Sequence, residues 1–159
     1  MRGCTFPIQA AAPRDERQQQ NHAAGSYSSW PLSVMMICGE YGVRTSLRAM
    51  LRQEPGFCLA GEAETGLASL GLAFRCQPSV ALVDLCLPDR SGFEVVKCIR
   101  KLVPRCAAIV LSDSPNPFVE DVARISGAIT VWHKGSSVAQ LRDTLRLLAK
   151  GMLASPVQI

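Results

Sequence analysis

Short apolar segments alternate with amphipathic segments over most of the chain, and this alternation constrains the fold more than any other feature. Five apolar segments of strand length occur at 34–38, 57–61, 80–85, 107–111 and 129–133. Each precedes a segment in which apolar residues recur every three or four positions, as Val43, Leu47 and Met50 do, which is typical of one helix face. Strands that alternate with helices indicate a parallel sheet covered by helices on both faces. The sequence therefore predicts an α/β, doubly wound (βα)5 fold.

Residues 1–30 lack this periodicity, and their composition differs from that of the remaining chain. They include the run Gln18-Gln19-Gln20-Asn21 and a Gly-Ser-Tyr-Ser-Ser stretch, which bury too little apolar surface to offset the entropy of ordering. We expect a disordered tail at 1–30, one domain at 31–153 and a short tail at 154–159. The residues after the last predicted helix are too few for a three-helix DNA-binding module, so we expect a stand-alone or truncated domain without direct DNA binding.

Composition limits the cellular setting of the chain. Of the 159 residues, 48% are hydrophobic, which suffices for one sizeable core, yet no apolar run is long enough to cross a membrane. The net charge of +4 is too mild to predict a nucleic-acid or membrane partner. The seven cysteines are odd in number and form no Cys-x-x-Cys pair, so we predict a reducing, cytoplasmic environment.

Three chemically compatible residues follow successive predicted strands. Asp84 ends the third strand, Ser112 the fourth and Lys134 the fifth, and ligands of such sheets bind at the carboxyl ends of the strands. A carboxylate can accept a phosphoryl group, a hydroxyl can donate a hydrogen bond to it, and an ammonium can pair with its oxygens. Phosphoryl transfer also needs a divalent cation held by oxygen ligands.

These residues lie in segments that resemble the receiver domain of two-component response regulators, of the kind attached to helix-turn-helix transcription factors. The resembling segments are 44–51, 61–66, 78–92, 107–112 and Gly127-Ala128 followed by Lys134. The resemblance implies a flavodoxin-like fold with strand order 2-1-3-4-5. It also implies that Asp84 takes a phosphoryl group from a histidine kinase or phosphotransfer protein, while Ser112 and Lys134 contact that group. Any enzymatic activity would be this phosphoacceptor and autodephosphorylation chemistry at Asp84.

The chain departs from the family pattern after the first strand. The acidic pair that holds Mg²⁺ in such receivers falls on Cys38 and Gly39, and an acid, Glu40, lies one position further on. The metal ligands that the resemblance implies are then Asp84, Glu40 and the backbone carbonyl of Cys86. Because a thiol is a poor substitute for an oxygen ligand of Mg²⁺, we expect weakened or absent phosphorylation.

A second departure concerns the output surface. The resemblance implies that a downstream protein binds a face made of the fourth helix, fifth strand and fifth helix. The aromatic residue that reports phosphorylation in the family falls on Val131, and the adjacent Trp132 should face the other side of the sheet because strand side chains alternate. Switching through this aromatic route is therefore not expected.

Two basic stripes follow helical spacing. Arg44, Arg48 and Arg52 share one face of the first helix, and Arg142, Arg146 and Lys150 share one face of the last. They are either ordinary solvated faces or docking surfaces for the phosphodonor and the output partner.

The sequence leaves three classes of function open, and a redox role is a further hypothesis. The domain is a phosphoacceptor, or a phosphorylation-independent pseudo-receiver that acts as a protein interaction module, or a nucleotide or flavin binder. The last class lacks support because no glycine-rich phosphate loop is present. Cys38 and Cys86 add a redox hypothesis in which Lys134 lowers the pKa of a thiol; the alternative is that both are inert packing residues.

Overall fold

The computed structural model describes residues 31–151, which form five strands and five helices in alternation. In chain order the elements are β1 (Leu32–Ile37), α1 (Tyr41–Gln53), β2 (Phe57–Ala63), α2 (Gly66–Cys76), β3 (Val80–Asp84), α3 (Gly92–Leu102), β4 (Ala107–Ser112), α4 (Pro117–Ser126), β5 (Thr130–His133) and α5 (Val138–Ala149). The predicted tails at 1–30 and 154–159 lie outside the described residues, as does Met152.

The five strands form one parallel sheet in the order β2-β1-β3-β4-β5. This confirms the flavodoxin-like (βα)5 prediction and its strand order. Because β1 lies between β2 and β3, the chain reverses its direction of winding there. The carboxyl ends of β1 and β3 therefore flank the crevice where ligands of doubly wound sheets bind.

The sheet separates two apolar layers, as expected for strands whose two faces are both covered. Because side chains alternate along a strand, consecutive residues of β1 pack into opposite layers. Met35 packs with Ile99 of α3 in the layer under α2, α3 and α4, whereas Met36 packs with Leu47 and Leu145 in the layer under α1 and α5. The three central strands β1, β3 and β4 are almost wholly buried, whereas the edge strands β2 and β5 are only partly buried.

Local sequence sets the helix starts. The predicted cap Ser137 accepts a hydrogen bond from the backbone N–H of Ala139, and Asn116 caps α4 in the same way ahead of Pro117 in the first turn. Such caps satisfy backbone donors that have no partner within the helix. Several strand boundaries differ from the predicted segments by one or two residues. The difference that matters for the site is at β1, which ends at Ile37, so Cys38 lies just beyond the strand, beside the crevice.

The six cysteines in the described part of the chain are all free thiols. No helix among residues 31–151 is long and apolar enough to cross a bilayer.

Candidate functional site

Asp84 lies at the centre of the crevice, at the last position of β3. The residue is 1% exposed, and both of its carboxylate oxygens accept hydrogen bonds. Oδ1 accepts from the backbone N–H of Cys86 at 3.1 Å. Oδ2 accepts from the Lys134 ammonium at 3.0 Å and from the Cys38 thiol at 3.1 Å. The structure thus brings together two residues predicted from strand ends and one predicted from the degenerate acidic pair.

Lys134 follows β5, and its ammonium lies close to three carboxylates of the site. Besides Asp84, it contacts the carboxylate of Glu40 and lies 3.3 Å from Oδ1 of Asp113. Its backbone N–H donates to the carbonyl of Ser112 at 2.8 Å, which fixes its position relative to β4. Burial opposes its positive charge, but the hydrogen bonds to Glu40 and Asp84 outweigh burial and raise the pKa of Lys134, so the ammonium stays charged.

Cys38 lies where the family pattern has an acid, and its side chain acts as a donor. Burial, followed by the hydrogen bond to Asp84, raises the pKa of the Cys38 thiol to about 12. Because reactive thiols are thiolates with lowered pKa, the redox hypothesis is wrong about Cys38: Lys134 does lower the pKa, but by less than burial and Asp84 raise it. Cys86 is exposed at the rim.

The predicted metal set does not fit Mg²⁺ in this arrangement. A resident cation would need free carboxylate oxygens, yet the Lys134 ammonium already lies between Glu40 and Asp84. The position beside them carries a protonated thiol, Cys38. Among the described residues, no group of three or more His, Cys, Asp and Glu side chains is arranged to hold a metal ion. The role of Glu40 that this geometry supports is ion pairing with Lys134, and metal ligation by the carbonyl of Cys86 stays a prediction.

Ser112 is at the end of β4 as predicted, and it is 3% exposed. Its hydroxyl donates to the carbonyl of Ser114 at 3.1 Å, within its own loop. In the described part of the chain, no hydrogen bond joins this hydroxyl to the side chain of Asp84 or Lys134. The hydroxyl would have to leave Ser114 to meet a ligand on Asp84.

Arg44 is a structural element of the crevice that the sequence analysis assigned to a basic stripe. The residue is 7% exposed, and its guanidinium donates to the carbonyls of Cys38 at 2.8 Å and Gly39 at 3.1 Å. It also pairs with Glu64. The solvated-face and docking interpretations are therefore both wrong for Arg44. The sequence contained an indication of this burial, because Arg44 is three positions before Leu47 and so lies on the apolar face of α1.

Two residues that follow β3 complete the site, Asp89 in the loop and Gly92 at the start of α3, and neither was predicted from the sequence to have a role. Asp89 accepts hydrogen bonds from the backbone N–H groups of Gly66 and Leu67 at 2.7 and 2.8 Å, so it caps the start of α2. A Cβ on Gly92 would lie 2.2 Å from the backbone oxygen of Asp84. Only glycine allows α3 to begin this close to β3.

The side chains of Val131 and Trp132 face opposite sides of the sheet, as the alternation along β5 predicts. Val131 packs on the layer under α4, whereas Trp132 is buried on the opposite face among residues of α1 and α5. With a valine here, a groove of ≈ 250 Å³ runs between α4 and β5, lined partly by Ala123, Ala128 and Val131.

Comparison with known proteins gives a consistent result for this geometry. A family model described as "Response regulator receiver domain" matches residues 34–146. The transcriptional regulatory protein LiaR of Bacillus subtilis (strain 168) is 30% identical over 125 residues, covering 76% of this chain and 57% of LiaR. Protein-glutamate methylesterase/protein-glutamine glutaminase 4 of Myxococcus xanthus (strain DK1622) is 26% identical over 130 residues, covering 76% of this chain and 37% of that protein.

Among solved structures, a two-component response regulator of the LuxR family from Aurantimonas sp. SI85-9A1 superposes with a TM-score of 0.72. It is 22% identical, and the match covers 79% of this chain and 91% of that chain. This likeness shows the shared fold. The chain spans about half or less of the length of the two curated relatives, 57% and 37%.

Proposed function

The chain belongs to the family of response regulator receiver domains, and from this premise we propose that it is a two-component signalling domain whose Asp84 accepts a phosphoryl group slowly. The donor is a histidine kinase or a phosphotransfer protein. The observation that carries the proposal is the buried Asp84 carboxylate held 3.0 Å from the Lys134 ammonium at the carboxyl end of the sheet.

The proposed step is a displacement at phosphorus. A carboxylate oxygen of Asp84 attacks the phosphoryl group of a phosphohistidine, the P–O bond forms, and the P–N bond breaks with its electron pair left on the imidazole. Lys134 neutralises part of the charge on the transferred oxygens, which is how positively charged groups assist phosphoryl transfer. The Ser112 hydroxyl meets the same group once it leaves the Ser114 carbonyl.

Two contacts support a low rate. Oδ2 of Asp84 is already engaged by Cys38 and Lys134, so the nucleophile must give up hydrogen bonds before it attacks. Cys38 also removes a carboxylate from the position where the family holds its metal. Losing one preorganised electrostatic contact costs about 10²–10³ in the rate of such reactions.

A second candidate is favoured by the Cys38 thiol itself. Its hydrogen bond to Asp84, together with the Glu40–Lys134–Asp84 contacts, satisfies the site without any phosphoryl group. In this alternative the domain is a phosphorylation-independent interaction module. Both candidates place the domain in the cytoplasm, where kinases of this signalling class act, and both give it a downstream protein partner on the face made of α4, β5 and α5.

Intact-mass spectrometry of the full chain separates the candidates. The protein is incubated with acetyl phosphate, with Mg²⁺ and with EDTA, beside the isosteric variant Asp84→Asn. A single phosphoryl adduct that forms slowly and is missing from Asp84→Asn supports the slow phosphoacceptor. A folded wild-type protein without any adduct overturns it in favour of the interaction module, and an adduct that persists in Asp84→Asn assigns the chemistry to another residue.

A further inference from the structure

The basic residues predicted from helical spacing are largely neutralised within the fold. On α1, Arg44 pairs with Glu64, and Arg48 makes a two-point contact with Glu62. On α5, Arg146 makes a two-point contact with Glu54, which Arg142 also approaches. Positive charge that is already paired gives little attraction for a partner, so these two stripes are weak docking surfaces.

A different basic surface lies between α3 and α4, and we call it the α3–α4 groove. It has a volume of ≈ 430 Å³. Its lining residues are Lys97, Arg100, Lys101, Arg124, Ile125, Ser126 and Gly127. Four cations thus surround one groove.

The charge of the α3–α4 groove is only partly compensated. Lys97 and Lys101 are exposed, and among the described residues neither takes part in an ion pair. Arg124 pairs with Asp121 in the preceding turn, so in the described part of the chain the two lysines carry the uncompensated charge of the groove. Arg100 donates to the carbonyl of Gly127 at 3.2 Å and forms the wall between the helices.

Two further features of the groove point to a ligand that is a polypeptide. Ser126 is 4% exposed, and its Oγ has no hydrogen-bond partner among the described residues, which is costly for a buried hydroxyl. Ile125 is 79% exposed beside the cations. An apolar side chain within a basic patch suits a peptide that carries both carboxylates and an apolar residue, whereas nucleic-acid surfaces are long and mainly basic.

We propose that the α3–α4 groove binds an acidic segment of a partner protein. Carboxylates of the segment pair with Lys97 and Lys101, an apolar side chain packs on Ile125, and a polar group satisfies Ser126. The groove shares the end of α4 with the α4, β5 and α5 face, but its other wall is α3 and Asp84 is not among its lining residues. The proposal therefore does not rest on phosphorylation.

Fluorescence anisotropy of the full chain with a fluorescein-labelled peptide of glutamates around one leucine tests the proposal. We expect saturable binding that weakens with added salt, because exposed charges are screened. The variant Lys97→Glu/Lys101→Glu should bind at least about tenfold more weakly, equivalent to about 1.4 kcal/mol. The matched control is Arg52→Glu/Lys150→Glu, which makes the same charge change at exposed basic residues outside the groove and should stay within about twofold of wild type.

Two further measurements show which features of the groove and of the ligand are responsible for binding. Ile125→Ser should weaken binding of the leucine-containing peptide by about threefold and leave an all-glutamate peptide unaffected. Equal losses in the groove variant and the control, or no peptide binding by folded wild-type protein, would overturn the proposal. Tighter binding of a labelled DNA duplex than of the peptide, lost in the same groove variant, would overturn it in favour of a nucleic-acid surface. Circular dichroism confirms that each variant is folded.

Discussion

The thiol of Cys38 donates a hydrogen bond to Oδ2 of Asp84 over 3.1 Å. In the family pattern this position carries an acid that helps to hold a metal, so a group that would repel Asp84 is replaced by one that binds it. The consequence is a crevice in which the buried carboxylate is balanced by the protein's own donors, Cys38 and Lys134. Several properties of the domain depend on this exchange.

Restoring the acid should restore metal dependence. In Cys38→Asp, two carboxylates come into contact, and their repulsion should lower the melting temperature in EDTA. Added Mg²⁺ should raise it again, because a ligand that binds only the native state stabilises it. Differential scanning fluorimetry against Mg²⁺ concentration measures the shift.

Wild-type protein and Cys38→Ser serve as controls for this restoration. Both should show melting temperatures that do not change with millimolar Mg²⁺. The rate of adduct formation from acetyl phosphate should rise at least about tenfold in Cys38→Asp when Mg²⁺ is present. A wild-type protein that Mg²⁺ stabilises as strongly as the variant would show that the unaltered crevice does accommodate the metal.

Removing the ammonium should destabilise the fold. Lys134→Met leaves Asp84 buried without its cation, and breaking a buried pair by removing one partner costs about 3 kcal/mol. The double variant Asp84→Asn/Lys134→Met should recover part of this loss, since no buried charge is left unpaired. Urea unfolding of the wild type, both single variants and the double variant gives the coupling free energy. Additive losses would show that the 3.0 Å contact contributes little.

Arg44 and Arg48 should respond differently to truncation although both belong to the same predicted stripe. Arg44→Ala removes charged hydrogen bonds to the carbonyls of Cys38 and Gly39 and should cost about 2 kcal/mol of unfolding free energy. Arg48→Ala removes a partly exposed pair with Glu62 and should cost clearly less, because ion pairs that water can reach contribute little to stability. Chemical denaturation measures both, and equal losses would argue against a structural role for Arg44.

A methyl group at position 92 should disturb the phosphoacceptor strand. In Gly92→Ala the new Cβ would meet the backbone oxygen of Asp84 at 2.2 Å, so β3 or α3 must move. We expect a loss of about 2 kcal/mol or more. Gly135→Ala is the control, because a Cβ there meets nothing within 4 Å. Thermal unfolding should separate the two variants clearly, and similar melting temperatures would count against the close approach.

The Cys38 thiol should make the protein sensitive to alkali. Its folded-state pKa of about 12 lies above the ordinary value of 9.0, so the protonated thiol favours the native state. Its contribution to stability is complete below pH 9.0 and is lost as the pH rises towards 12. The unfolding free energy should therefore fall less steeply between pH 9 and 11 in Cys38→Ala than in wild type.

Native alkylation gives an independent measure of the same thiol. With iodoacetamide at mildly alkaline pH, the exposed Cys58 and Cys86 should be modified first, and the buried Cys38 and Cys106 should react only after unfolding. Peptide mapping by mass spectrometry identifies the sites. Early modification of Cys38 would mean that the crevice opens in solution.

Much of the fold follows from local patterns in the sequence. Apolar runs and helical periodicity predict the five strands and five helices, and the parallel sheet follows from their alternation. The position of Asp84 near the end of β3 follows as well, because the predicted apolar segment 80–85 contains it close to its carboxyl end. The opposite orientations of Val131 and Trp132 need only the two-residue period of a strand.

The partners of the charged side chains required the tertiary structure. Lys134 meets Asp84 across 50 positions of the chain, and Arg146 meets Glu54 across 92, so helical spacing alone could not separate paired arginines from available lysines. Glu40 is adjacent to the degenerate acidic pair in sequence, yet its carboxylate contacts Lys134. The sequence by itself determined which groups stand at the strand ends, because backbone periodicity is local. Only the tertiary structure decided which of them neutralise one another, because ion pairing depends on distances between residues that folding brings together.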